Sequence, residues 1–65
     1  MIIETDHKYE QLDYMIEPTQ NGSYRIVFIA NHRKFDEYSA CDADYLHILG
    51  RNWVKYGCVH IPEID

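Results

Sequence analysis

The sequence predicts one α+β domain, residues 1–65, in which a three-stranded antiparallel sheet is packed by one C-terminal helix and both termini are extended. Three observations predict this fold. A favoured hairpin pair, Asn21-Gly22, lies between two runs of strand-forming residues. The second run is apolar on both faces, as expected of a central strand. Apolar residues then recur at helical spacing over residues 45–56.

The first hairpin joins two predicted strands, residues 9–17 and 23–30. Asn-Gly is the favoured pair for a two-residue type I′ turn. Such a turn would pair Ile16 with Val27, and Tyr14 with Ile29. The hydrophobic pattern agrees with this register, because the four residues then lie on one face of the sheet.

A third strand is predicted beside the central one, over residues 34–38. Its register has two alternatives. A two-residue turn at Asn31-His32 would pair Phe28 with Phe35, whereas a three-residue turn would pair Ile29 with Phe35. The sequence pattern is compatible with both.

A helix is predicted to follow the sheet. Ser39-Ala40-Cys41-Asp42 fits a capping box that begins at Ser39, and Gly57 suits the C-terminal cap. Gly50 lies inside the helix, where glycine costs about 1 kcal/mol relative to alanine. The helix could therefore kink or stop near Gly50, in which case residues 53–61 could form a fourth strand. The apolar stripe of the helix consists of Tyr45, Leu46, Leu49, Trp53 and Tyr56.

One helix covers only one face of such a sheet, so the other face is expected to be open. The helix is predicted to pack on Leu12, Tyr14, Ile16, Val27 and Ile29. An exposed apolar patch on the opposite face usually marks an interaction site. The predicted partner-binding residues on that face are Asp13, Met15, Glu17, Tyr24, Ile26 and Phe28.

Two alternatives remain for the open face. The terminal segments could fold back and cover it with their apolar residues, which are Ile2, Ile3, Val59, Ile61 and Ile64. Two copies of the chain could instead pair their faces or edge strands as a homodimer.

The net charge of −5 is unevenly distributed. Residues 1–24 carry a net charge of −4 and residues 58–65 carry −2, whereas the middle of the chain is close to neutral. Binding to nucleic-acid phosphates needs clustered Lys and Arg, so direct nucleic-acid binding is not expected. The acidity favours a larger partner protein with a basic surface, which could itself be a nucleic-acid-binding protein.

The residues that could bind a metal are Cys41, His47, Cys58 and His60. Their spacing, C-x5-H-x10-C-x-H, matches no common zinc pattern. A continuous helix would also separate the two cysteines by about 25 Å at 1.5 Å per residue. We therefore predict no metal, no cofactor and no catalytic residue, and expect that the protein is not an enzyme.

The location predicted from the sequence is the cytoplasm. Two cysteines cannot form a dense disulfide framework, and the N-terminus resembles no signal peptide. No apolar run approaches the roughly 20 residues that a membrane-spanning helix needs, so no membrane association is expected.

The compact acidic chain resembles, in size and composition, the accessory inhibitors encoded by bacteriophages and mobile elements. This resemblance implies a small non-catalytic inhibitor or adaptor that occludes a larger protein through its open sheet face. The element order over residues 12–56 also resembles the sheet-plus-helix modules of integrase arm domains and plant AP2 domains. That resemblance implies the alternative function, sequence-specific DNA binding, through Arg25, Arg33, Lys34 and Tyr38.

Overall fold

The computed structural model describes residues 1–5 and 11–62, and these residues form an α+β fold with one helix. This confirms the predicted fold class. The elements in chain order are β1 (Ile2–Glu4), β2 (Leu12–Pro18), β3 (Tyr24–Ala30), β4 (Arg33–Ala40), α1 (Ala43–Tyr56) and β5 (Cys58–His60).

The strands form two antiparallel sheets. The larger sheet has the order β2-β3-β4, as predicted, with β3 in the centre. The two terminal segments pair with each other as β1 and β5, where Ile3 lies opposite Val59. The extended termini are therefore a second small sheet, and the possible strand over residues 53–61 is limited to Cys58–His60.

The predicted register of the first hairpin is wrong by one residue. Ile16 lies opposite Ile26 and Tyr14 lies opposite Phe28, so the loop consists of residues 19–23. A type I′ turn needs positive φ at both central residues, but Gly22 at φ 82° is the only residue of this loop with positive φ. Since side chains alternate along a strand, the one-residue shift exchanges the two faces of β3.

The loop is held by hydrogen bonds across its base. The backbone N–H of Thr19 donates to the carbonyl of Ser23 at 2.9 Å. The N–H of Ser23 donates in return to the Thr19 hydroxyl oxygen at 3.2 Å. These contacts close a wider loop than the predicted two-residue turn, and they set the register of β2 against β3.

The second hairpin contains the tight turn. Asn31 has φ 50° and His32 has φ 69°, which are the left-handed values that a type I′ turn requires. The two-residue alternative is thus confirmed, but its pairing of Phe28 with Phe35 is wrong. A β-bulge between Phe28 and Ile29 places Phe28 opposite Asp36, and Phe35 is the extra residue.

The helix is continuous from Ala43 to Tyr56. Its N-cap is Asp42 rather than Ser39, because β4 extends to Ala40 and includes Ser39. The Asp42 carboxylate accepts the backbone N–H of Asp44 at 2.9 Å. Gly57 is the C-cap, as predicted, in a left-handed conformation with φ 68°.

Gly50 allows the helix to approach the sheet closely. A Cβ atom at this position would overlap the ring of Tyr14 on β2. The interior glycine therefore neither kinks nor ends the helix. Glycine lowers the helix propensity at this position, but its lack of a Cβ atom allows α1 to pack closely on the sheet.

A single core joins both sheets and the helix. Trp53 is its largest fully buried side chain, and its ring centroid lies 5.4 Å from that of Phe28. The indole N–H donates to the Ile29 carbonyl at 3.1 Å, which satisfies the one polar group of the side chain. The buried core residues are Ile3, Ile26, Phe28, Ala30, Leu46, Leu49, Trp53, Val59 and Ile61.

The terminal segments contribute to the core cluster that contains Ile26 and Phe28, which lies on the helix side of the sheet and not, as the first alternative expected, on the opposite face. Ile3, Val59 and Ile61 belong to the same core cluster. Ile2 is mostly exposed, and Ile64 lies outside the described residues. The face that these segments help to bury is the helix side of the sheet, whereas Met15 on the opposite side is 46% exposed.

Candidate functional site

The candidate site is the face of the three-stranded sheet that lies opposite α1, called here the open face. Residues opposite one another in an antiparallel sheet share a face, and every second residue of a strand returns to it. Its members are Asp13, Met15 and Glu17 on β2, Arg25, Val27 and Ile29 on β3, and Lys34, Glu37 and Ser39 on β4.

The predicted binding residues divide between the two faces. Asp13, Met15 and Glu17 lie on the open face. Tyr24, Ile26 and Phe28 alternate onto the helix side, and Ile26 and Phe28 are each 0% exposed. The prediction that these three share the open face is wrong, because it depended on the mistaken hairpin register.

The centre of the open face is apolar. Val27 and Ile29 are half-buried on the middle strand, and Met15 beside them is 46% exposed. The sequence pattern predicts Val27 and Ile29 on the helix side, and this prediction is wrong, because they lie opposite Met15 and Asp13. The apolar run of β3 contains both sets of residues, so the signal for Val27 and Ile29 was present but could not be assigned to a face.

Arg25 links all three strands at one end of the open face. Its Nη1 lies 3.0 Å from Glu17 Oε1 on β2, and its Nε lies 3.2 Å from Glu37 Oε2 on β4. Lys34 Nζ lies 2.7 Å from Glu37 Oε1. The hydrogen bond and charge of Lys34, together with the charge of Arg25, lower the pKa of Glu37.

Asp13 differs from the other two carboxylates of the open face. It has no cationic partner among the described residues. Its Oδ1 accepts the backbone N–H of Tyr14 at 2.8 Å. The open face therefore carries three carboxylates against two cations, and the charge of Asp13 is the one left uncompensated within the described chain.

On each edge strand of the sheet, an aspartate side chain accepts an outward backbone N–H group, which opposes the addition of a further strand. Asn31 N–H donates to the Gln11 carbonyl at 2.8 Å, which continues the β2–β3 ladder. Even-numbered residues of β2 therefore direct their N–H groups outward. The Asp13 side chain accepts the outward N–H of Tyr14, and Pro18 has no backbone N–H.

The β4 edge repeats this arrangement. Asp36 Oδ1 accepts the backbone N–H of Glu37 at 2.8 Å. The β-bulge between Phe28 and Ile29 also breaks the regular ladder of this strand. Capped donors, proline and bulges are the means by which natural sheets avoid pairing edge to edge. The face of the sheet is therefore more available to a partner than its edges.

Three of the four residues considered as metal ligands lie in separate environments. Cys41 Sγ is 3.8 Å from the Ser23 hydroxyl, and His47 Nδ1 is 3.2 Å from the Tyr14 hydroxyl. Cys58 Sγ is 3.8 Å from a Glu4 carboxylate oxygen. Among residues 1–5 and 11–62, no three His, Cys, Asp or Glu side chains are grouped to hold a metal ion.

The Cys58 thiol has a perturbed acidity. Desolvation, followed by the neighbouring Glu4 carboxylate, raises the pKa of Cys58. Both cysteines are free thiols. A raised pKa lowers the fraction of thiolate, which is the reactive form of a cysteine.

Comparison of the chain with protein-family models, with curated proteins and with solved structures gives no match. Within the described part of the chain, the helix is too short and too polar to cross a membrane.

Proposed function

We propose that this protein is a small, acidic, non-catalytic protein-binding module. It acts as an inhibitor or adaptor, of the kind that phages and mobile elements encode, and it occludes a larger protein through its open face. The observation that carries this proposal is the exposed apolar centre of Met15, Val27 and Ile29 opposite the helix. An apolar patch with a polar rim is typical of interaction sites.

The layout of the edges supports a face-directed mode of binding. The outward N–H groups of Tyr14 and Glu37 are accepted by the preceding aspartates, which leaves a partner strand fewer free donors at either edge. The free thiols of Cys41 and Cys58 support a reducing compartment, and we propose the cytoplasm as the location.

DNA binding has less support as the alternative. Arg25 and Lys34 lie on the open face, but carboxylates occupy both of them. Tyr38 lies opposite Ile26 and is half-buried beside the core, on the helix side of the sheet. Phosphate contacts need Lys or Arg side chains that displace the counterions bound to the nucleic acid. The open face has a net negative charge instead.

The test compares two variants that place a charge at equally exposed apolar positions. Met15 is 46% exposed on the open face, and Ile48 is 48% exposed on the helix. Tagged Met15→Asp, Ile48→Asp and unmodified protein are used to capture partners from the native lysate, with and without nuclease. Captured proteins are quantified by mass spectrometry.

The proposal predicts a stoichiometric protein that survives nuclease and binds the Ile48→Asp variant. The Met15→Asp variant should capture at least tenfold less of the same protein. Equal capture by a folded Met15→Asp variant would contradict the assignment of the open face. Capture that disappears with nuclease would support the DNA-binding alternative instead.

A further inference from the structure

The open face has three cross-strand rows, and their charges are not equivalent. The row at one end contains Glu17 and Arg25, which are paired with each other. The row at the other end contains Asp13, Ile29 and Lys34. The apolar centre therefore borders a compensated charge pair on one side and, on the other, the carboxylate of Asp13, which has no cationic partner within residues 1–5 and 11–62.

Both cations of the open face form ion pairs with carboxylates of the same sheet. Arg25 contacts two carboxylates, and Lys34 contacts Glu37 at 2.7 Å. At Asp13, only Oδ1 has a hydrogen-bond donor among the described residues, which leaves Oδ2 available. A partner that approaches this face meets an apolar surface with one acceptor charge at its β2 border.

A second copy of the chain fits this face less well than a different protein. Three strands spaced about 4.8 Å apart, each about seven residues long at about 3.3 Å per residue, cover on the order of 300 Å². Two copies would bury about twice that area, whereas stable complexes bury about 1,200–2,000 Å². Because Asp13 and Asp36 accept the outward N–H groups of Tyr14 and Glu37, a second copy finds fewer free donors for strand pairing at the edges.

We propose that the occupant is a basic protein segment with an apolar strip that is flanked by a Lys or Arg side chain. The strip packs over Met15, Val27 and Ile29, and the cation pairs with Asp13. This inference rests on the proposed function and specifies the chemistry of the partner. The remainder of the larger partner buries area beyond the open face, which compensates for the small size of that face.

The experiment uses three synthetic twelve-residue peptides as probes. One alternates apolar residues with Lys, one alternates the same apolar residues with Glu, and one alternates Ser with Lys. Each is titrated into the isotope-labelled full chain, and amide and methyl chemical shifts are recorded. The same titrations are made with Asp13→Asn, which removes the charge but retains the oxygen that accepts the Tyr14 N–H. Asp44→Asn, at an exposed aspartate of α1, is the matched control.

The inference predicts that the basic apolar peptide shifts Met15, Val27 and Ile29 and binds more tightly than the other two. Asp13→Asn should weaken this binding about threefold to tenfold, and Asp44→Asn should leave it unchanged. Equal binding of the acidic apolar peptide, or no effect of Asp13→Asn, would overturn the assigned cation while leaving the open face as the binding site. Shifts confined to α1 would overturn the assigned surface.

Self-association is the remaining outcome. Sedimentation of the unmodified chain at micromolar concentration should give a monomer of 7.8 kDa. A dimer that the Met15→Asp substitution dissociates would overturn the choice of a basic partner, because the open face would then be occupied by a second copy.

Discussion

Phe28 lies on the buried side of β3 because of the hairpin register. Its ring is completely buried and lies 5.4 Å, centroid to centroid, from that of Trp53. Phe28→Ala is expected to lower the free energy of unfolding by about 3–5 kcal/mol, because it removes buried area and leaves a cavity. Urea denaturation followed by circular dichroism measures this loss.

The control for Phe28 is Met15→Ala on the opposite face. It should change the free energy of unfolding by about 0.5 kcal/mol or less, as is usual for an exposed position. Similar losses for the two variants would contradict the observed register. Phe28→Asp should unfold the domain, since it buries a charge, and it is therefore not a probe of partner binding.

Gly50 offers a second test at the scale of one residue. Alanine is the better helix former by about 1 kcal/mol, but its Cβ atom would overlap the Tyr14 ring. Gly50→Ala should therefore destabilise the domain by about 1–3 kcal/mol. With Tyr14→Ala as the background, the same substitution should be neutral or stabilising. Stabilisation with Tyr14 present would contradict the close approach of helix and sheet.

The two thiols should differ in reactivity. The raised pKa of Cys58 reduces its thiolate fraction near pH 8, whereas Cys41 is exposed. Iodoacetamide should therefore modify Cys41 before Cys58, with the sites read by mass spectrometry. Glu4→Gln removes a charge that raises the pKa of Cys58, so it should accelerate reaction at that site. Faster modification of Cys58 in the unmodified chain would contradict the described environment.

The edge strands determine how the sheet meets other chains. Asp36 accepts the outward N–H of Glu37 on β4, and Asp13 does the same for Tyr14 on β2. Replacing both aspartates with alanine exposes these donors and should promote self-association. Light scattering after gel filtration should show dimers or larger species for the double variant. A strictly monomeric double variant would show that the aspartates do not protect the edges.

Elements specified by local signals were predictable from the sequence. The helix follows its apolar stripe, and Gly57 ends it because a glycine readily adopts the left-handed conformation. Ser39 was a plausible N-cap by spacing alone. It was displaced by Asp42 because pairing with β3 extends β4 to Ala40, and such non-local pairing is not visible in the local pattern.

The register of β2 against β3 was not predictable in the same way. Ile26 and Phe28 alternate with Val27 and Ile29, so both faces of β3 are suitable for a core. The loop chemistry of Thr19 and Ser23 and the packing of Phe28 on Trp53 select the observed face. The residues assigned to the open face depend on this register. For that reason only its β2 residues were predicted on the correct side.

At the scale of the whole molecule, two sheets and a helix share one core, and one sheet face is left open. The chain has 65 residues and a net charge of −5. A domain of this size leaves a large fraction of its surface accessible, so the placement of apolar and charged residues on that surface matters more than the depth of any cavity. The central claim is that a partner protein covers the open face.

The most direct measurement is a methyl NMR spectrum of the full chain, labelled at Met, Val and Ile, with and without its captured partner. If a partner covers the open face, the methyl chemical shifts of Met15, Val27 and Ile29 should change strongly when the partner binds. The methyl groups of Ile48 and Val54, which are exposed on α1, should not change. Shifts confined to Ile48 and Val54, with the open face unchanged, would contradict the account.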